Sequence, residues 1–297
     1  MDIRALLMGL AFAVMWSSAF TSARIIVAAA PPLSALALRF LLSGLLAVAI
    51  ALILRQNWRL TRAQWRATII FGVCQNALYL GLNFVAMQTV QASLAAIIAS
   101  TMPLLVALAG WLFFRDKLRP QAVAGLFAGV LGVALIMGGR MSAGLDWQGV
   151  ALCVGGVIAL TVATLSLRGA TSGGNFMMVV GLQMLVGSAA LWPFALTLEE
   201  VAVRWSWQLV AAFAYTTLVP GLAATFVWVL LVNRIGAVRA ATFHFLNPFL
   251  GVAIAALLLG EGLHLLDLVG VMVIAASILA VQLAKLSPQN SKKFGDS

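Results

Sequence analysis

The chain has 297 residues, of which 63% are hydrophobic and only 9% charged, too little polar surface to cover a soluble domain. Its formal charge of +10 would suit nucleic acid, but the basic residues lie in short loops between apolar runs, so no nucleic-acid partner is expected. Two cysteines, Cys74 and Cys153, both inside apolar runs and without CxxC spacing, point to packing and not to a disulfide or metal site.

Apolar runs of roughly 20 residues, the length that crosses the hydrocarbon core, recur along the whole sequence. The first, Ile3 to Ala29, is too long for a cleavable signal and has no small-residue cleavage site before Pro31-Pro32. The second runs from Leu33 to Leu54, and a basic segment through Arg62 and Arg66 leads to the third, Ala67 to Met87. A bare turn at Gln88–Gln91 opens the fourth, which ends at Phe114. Pro120 is well placed to start the fifth, which closes at Gly138-Gly139-Arg140. The sixth to tenth spans are predicted over Trp147–Leu167, Phe176–Leu196, Trp207–Val232, a segment reaching Leu259, and Leu265–Leu283. Residues 287–297 are expected to be a disordered tail.

The stretch Ala92–Gly125 occurs twice. A shift of 145 residues lays it without a gap on Ala237–Gly270, carrying Pro103 onto Pro248, Asp116 onto Glu261 and Leu118 onto Leu263. The chain thus divides into residues 1–140 and 146–286, with five spans in each. Because five is odd, the second copy must enter the membrane from the opposite face. With both termini in the cytoplasm, fourteen Lys and Arg fall on the inner side and only Arg24, Arg140 and Arg204 on the outer. The expected fold is an all-α integral membrane protein, ten transmembrane helices in two inverted five-helix repeats around a central cavity. Such repeats characterise secondary transporters whose substrate sites lie near the midplane.

Asn247-Pro248, then Leu259-Gly260-Glu261, then Leu268–Gly270, resemble the drug/metabolite transporter superfamily in its ten-helix form with two EamA-type repeats. The first half departs from that pattern, with Arg115-Asp116-Lys117 where the family more often has Gly-Glu. Within the superfamily the chain looks like bacterial inner-membrane amino-acid exporters. The resemblance implies export of small metabolites from the bacterial inner membrane by a basket of ten helices without an ATP-binding domain. No GxxxxGK[ST] occurs. Neither HExxH, GxSxG nor a pair of intramembrane aspartates is present, so no enzyme activity and no cofactor are expected. A complete basket can work as a monomer, its partners being the lipid bilayer and a small-molecule substrate.

Polar groups at midplane depth should face inward, because lipid cannot satisfy them. Gln75, Tyr79 and Asn83 recur at i, i+4, i+8, which makes them either cavity lining or a seam between helices. Pro248 cannot donate to the carbonyl of His244, so a kink, a freed acceptor and an imidazole coincide there, with Asn247 on the same face. Pro103 repeats the break at Ala99, and the pair suggests hinges or a site. His244 could carry a proton or bind a carboxylate, or it could be a neutral ring bonded to a neighbour. Trp16, Ser18, Thr161, Thr164, Thr225 and Trp228 are further candidates for lining, the two tryptophans as walls for a flat or aliphatic side chain. Trp58, Trp65, Trp147, Trp205 and Trp207 read as interfacial anchors. Arg39, seven residues after Pro32, is expected to snorkel to the interface, the alternative being that it faces the pore and steers carboxylates. Asp116 and Glu261, at helix C-termini, are expected to pair with loop bases or cap the following helix. Few fixed charges together with amides, hydroxyls and aromatic rings suit zwitterions, whereas phosphorylated sugars need clustered Lys or Arg.

Overall fold

The computed structural model describes residues 3–115, 119–141, 144, 146–166, 174–235, 240, 242–262 and 265–286. Asp116 and the tail 287–297 therefore lie outside the described residues. Ten helices carry the chain: α1 (Ile3–Val27), α2 (Pro32–Ile53), α3 (Arg62–Ala86), α4 (Ala92–Phe114), α5 (Pro120–Met141), α6 (Trp147–Ser166), α7 (Phe176–Leu198), α8 (Trp207–Val232), α9 (Thr242–Leu259) and α10 (Leu265–Leu286). Each contains a stretch long and apolar enough to cross a bilayer, and no strand occurs among the described residues. Large apolar side chains face outward, Leu257 being 83% exposed, as lipid-facing positions require. Trp58, Trp147, Trp205 and Trp207 stand exposed beside helix ends, where an interfacial belt belongs.

Local chemistry sets the helix limits. Helix α3 starts five residues before the apolar run, because Thr61 and Gln64 form a capping box in which each side chain accepts from the other's amide. Asp146 caps α6 by accepting the Gln148 amide at 3.0 Å and also takes the Thr89 hydroxyl from the α3–α4 turn. The Thr89 hydroxyl, with the Gly149 and Gln148 amides, holds the Asp146 carboxyl below its ordinary pKa. Helices α4 and α9 end alike, on left-handed residues one repeat apart, Arg115 at φ 55° and Gly260 at φ 66°. Glycine takes that conformation freely, whereas arginine pays roughly 1 kcal/mol for it.

The two halves interlock through small residues. At the α2–α7 crossing, a Cβ on Gly44 would lie 3.0 Å from the Gly181 carbonyl oxygen, and one on Gly181 would lie 3.0 Å from that of Gly44. A shift of 144 residues carries this contact onto Ala37 and Ser188, where the Ser188 hydroxyl donates to the Ala37 carbonyl at 2.8 Å. At the α5–α10 crossing Gly132 meets the Gly270 carbonyl, and a shift of 145 exchanges that contact for Gly125 against the Ser277 carbonyl. Swapping the halves thus carries each crossing onto itself, consistent with two related five-helix repeats. Close backbone approach is how membrane helices gain packing energy, since lipid supplies no hydrophobic drive between them.

Two carboxylates tie the halves together at the end carrying the α1–α2 turn. Glu199, after α7, accepts the amides of Leu33 and Ser34 at 2.7 and 2.8 Å at the start of α2. Glu261, after α9, accepts those of Ala92 and Ser93 at 2.7 and 2.9 Å at the start of α4. Among the described residues, the partners of Glu261 are thus amides of a helix in the other half. The carboxylate neutralises the positive N-terminus of that helix.

Candidate central site

Helices α3 and α8, which a shift of 145 residues relates, each carry a π turn. In α3 it spans Gly72–Tyr79, and in α8 it spans Val219–Ala223, inside the window that a shift of 145 predicts from the first. A π turn widens the helix by one residue and frees backbone groups, and such turns recur at functional sites. In α8, Pro220 has no amide to give Thr216, and the Arg39 Nε donates to that carbonyl at 3.2 Å. One turn along α2, the Ser43 hydroxyl donates to the Thr217 carbonyl at 3.3 Å. In α3, the Asn76 side-chain amide donates to the Gln183 carbonyl of α7 at 2.9 Å. The polar bonds at the middle thus run between halves.

Between these turns lies a cavity of about 50 Å³, bounded by Trp16, Ala19, Phe20 and Ala23 of α1, Arg39 of α2, Gln75, Tyr79, Leu80, Asn83, Phe84 and Met87 of α3, and Pro220 of α8. That volume holds one or two waters, each needing about 30 Å³, and no amino acid. A second depression of about 480 Å³ opens at the α1–α2 turn, lined by residues 27–33 together with Gln88, Glu199 and Arg204. The partition between them is thin: Met87 bounds the cavity, its neighbour Gln88 bounds the depression, and the Arg24 guanidinium donates to the Met87 carbonyl. Towards the N-terminal end of α1 the cavity is closed by rings. Phe12 packs on Trp16, Trp228 and His244 at centroid distances of 5.7, 4.7 and 5.4 Å, and Trp228 meets His244 at 5.2 Å.

The sequence pattern of the EamA-like transporter family fits residues 3–138 and, a second time, residues 147–283. The chain belongs to the EamA-like transporter family. Among EamA-related and other curated proteins it is 25% identical to the uncharacterized transporter YvbV of Bacillus subtilis, over 95% of this chain and 92% of that one. It is likewise 25% identical to the uncharacterized inner membrane transporter YedA of Escherichia coli K12, over 92% and 88% of the two chains. Protein PecM of Dickeya dadantii is 22% identical over 94% and 92%. A solved crystal structure of a protein 19% identical superposes with a TM-score of 0.69, covering 96% of this chain and 99% of that chain, which supports the fold alone.

On this EamA scaffold the predicted residues separate into groups. Trp16, Gln75, Tyr79 and Asn83 meet at the cavity. Trp228 and His244 sit in the ring cluster beside it, reached through Trp16 and Phe12. The Asn247 amide, a donor only, lies 2.9 Å from His244 Nδ1, so that nitrogen accepts and a neutral ring carries its proton on Nε2. The Ser17 hydroxyl reaches the Asn247 carbonyl and side-chain oxygen at 3.5 Å, which links α1 to α9. Ser18 turns instead to the Tyr215 hydroxyl at 2.7 Å. Thr161, Thr164 and Thr225 return their hydroxyls to the carbonyls of Val157, Leu160 and Gly221 in their own helices. Pro103 follows a break at Thr101 in α4, and Pro248 stands where α9 passes from a 3-10 turn (Thr242–Leu246) into α-helix.

Arg39 corrects an expectation. It does not snorkel to the interface: it is 5% exposed, points to the cavity and crosses to α8. The opening of the acceptor at Thr216 by Pro220 is the physical reason, and the proline in mid-span was the sequence signal for it. Phe12, which joins the ring cluster, carried no such signal in its apolar surroundings.

Proposed function

We propose that this EamA-family chain is a secondary transporter that exports amino acids, aromatic and others, across the bacterial inner membrane by alternating access. Both termini lie in the cytoplasm, as the fourteen-to-three distribution of basic residues favours. With the repeats inverted, exchanging the shapes of the two halves moves the opening across the membrane. Pro103 and Pro248 serve as the paired hinges. The observation that carries the reading is the central cavity, lined by α1, α2 and α3 of the first half and bounded also by Pro220 of the second, walled by Trp16 and Tyr79 and bearing amides and one cation, with no clustered Lys or Arg for phosphate. Its small volume fits an occluded state between turnovers. The resemblance of the sequence to bacterial inner-membrane amino-acid exporters suggests the substrate class.

The test is efflux from liposomes that contain the purified protein and a mixture of labelled amino acids, with and without a pH gradient. Selective loss of amino-acid labels is expected. If none leaves while another metabolite or drug does, the substrate class is wrong and the transporter reading stands. Chemical conversion of a trapped compound would contradict transport itself.

A further inference from the structure

Two side chains at the cavity are buried with hydrogen-bonding capacity unmet, and their signs are opposite. The Arg39 guanidinium spends Nε on the Thr216 carbonyl, and its two terminal nitrogens have no hydrogen bond or ion pair among the described residues. Asn83 is 1% exposed and gives its amide to the Tyr79 carbonyl at 2.8 Å, while its oxygen Oδ1 is fully enclosed and accepts nothing. The guanidinium lies over the Phe40 ring at 5.1 Å, but a guanidinium inside a membrane span without a counter-charge is costly, and a buried acceptor without a donor adds to that cost. Packing explains neither, since a leucine at either position would avoid both penalties. Tyr79 and Trp16 place aromatic surface along the same space.

We propose that Arg39 and Asn83 form a divided subsite for a zwitterion, the Arg39 terminal nitrogens receiving the ligand's carboxylate and Asn83 Oδ1 accepting from its primary ammonium. The ligand class is an α-amino acid or a close relative with both groups. This rests on the transport reading above and adds which atoms do the selecting. A planar guanidinium matches a carboxylate through two parallel hydrogen bonds, and an amide oxygen suits an ammonium without adding a second fixed charge. The ligand's side chain then lies along Trp16 and Tyr79, where shape is unspecific, so selection acts on the backbone-like end and tolerates varied side chains. In the state described the cavity of about 50 Å³ is too small for an amino acid, and the ligand enters when the halves part.

The experiment compares phenylalanine, phenylalanine amide and 3-phenylpropionate as competitors of labelled-phenylalanine counterflow in liposomes. Wild-type protein is expected to prefer phenylalanine over either analogue by roughly ten- to a hundredfold, the worth of one charge-assisted contact. Arg39→Gln keeps a donor for Thr216 and removes the charge; it should lose the preference over the amide and keep that over 3-phenylpropionate. Asn83→Leu should do the reverse. Arg39→Lys, which keeps charge without the fork, should fall between and guards against a misfolded variant. If wild-type protein exchanges phenylalanine and both variants keep both preferences, the subsite is wrong while amino-acid transport stands. If wild-type protein recognises none of the three, the amino-acid reading fails and takes the subsite with it.

Discussion

Gly181→Leu is expected to yield no monodisperse protein after detergent extraction. A Cβ at Gly181 lies 2.7 Å from Val48 Cγ2, 2.9 Å from the Val48 nitrogen and 3.0 Å from the Gly44 carbonyl oxygen. Two of those three atoms are backbone and cannot rotate aside, so the crossing of α2 and α7 must separate. Overpacking of this kind costs about 1–3 kcal/mol where side chains can yield and more where only backbone can. In the membrane there is little to offset it, because the helices associate through the very contacts that are lost. Gly270→Leu at the other crossing, where a Cβ meets the Gly132 carbonyl at 2.8 Å, should behave alike. Gly262→Leu is the control, since no atom lies within 4 Å of a Cβ there. Size-exclusion profiles of the three variants check this, and a wild-type profile for Gly181→Leu would refute the packing account.

Glu261→Ala is expected to loosen the end that carries the α1–α2 turn. The carboxylate accepts two backbone amides of α4 at 2.7 and 2.9 Å and also offsets the positive end of that helix. Hydrogen bonds to a charged group are each worth about 1.5–3 kcal/mol, so losing the pair shifts a two-state equilibrium by at least about tenfold. Glu261→Gln, which keeps one acceptor and no charge, should shift it less. Among the described residues, the repeat counterpart of the Glu199 tie is a neutral Gln56 oxygen that accepts the Met178 amide at 3.1 Å. Amide hydrogen exchange at Ala92 and Ser93 reports the change: at least about tenfold faster in Glu261→Ala, with unchanged exchange in α6 as the internal reference. Equal rates in both proteins would remove Glu261 as a latch.

Much of this architecture is legible in the residues because lipid is a severe solvent. Every span must be apolar for about 20 residues, so the ten helices emerge from hydropathy, and the break before Pro103 or Pro248 follows from the missing amide. The stripe Gln75, Tyr79, Asn83 is visible by spacing and does meet at one cavity. What stays hidden depends on neighbours. Helix α3 begins at Arg62 because of a polar capping box outside the apolar run. The π turns at Gly72–Tyr79 and Val219–Ala223 leave no mark in hydropathy, although Pro220 marks the second. Arg39 is compatible with snorkelling by depth alone, and its direction is decided by a carbonyl in α8, 177 residues away in sequence. Glu199 and Glu261 find their amides on helices of the other half, a pairing that only the assembled bundle defines.

Alternating access requires the two halves to part where Glu199 meets Ser34, whose hydroxyl donates to the carboxylate at 2.8 Å. The direct measurement joins these positions in a protein whose own thiols, Cys74 and Cys153, have been replaced. Ser34→Cys with Glu199→Cys, bridged by a short reducible bifunctional thiol reagent, is reconstituted in liposomes and assayed for amino-acid efflux before and after cleavage of the bridge. The account predicts that efflux stops in the bridged protein and returns on cleavage. Efflux at the same rate with the bridge intact would show that substrate crosses without this end opening, and alternating access between the halves would be wrong.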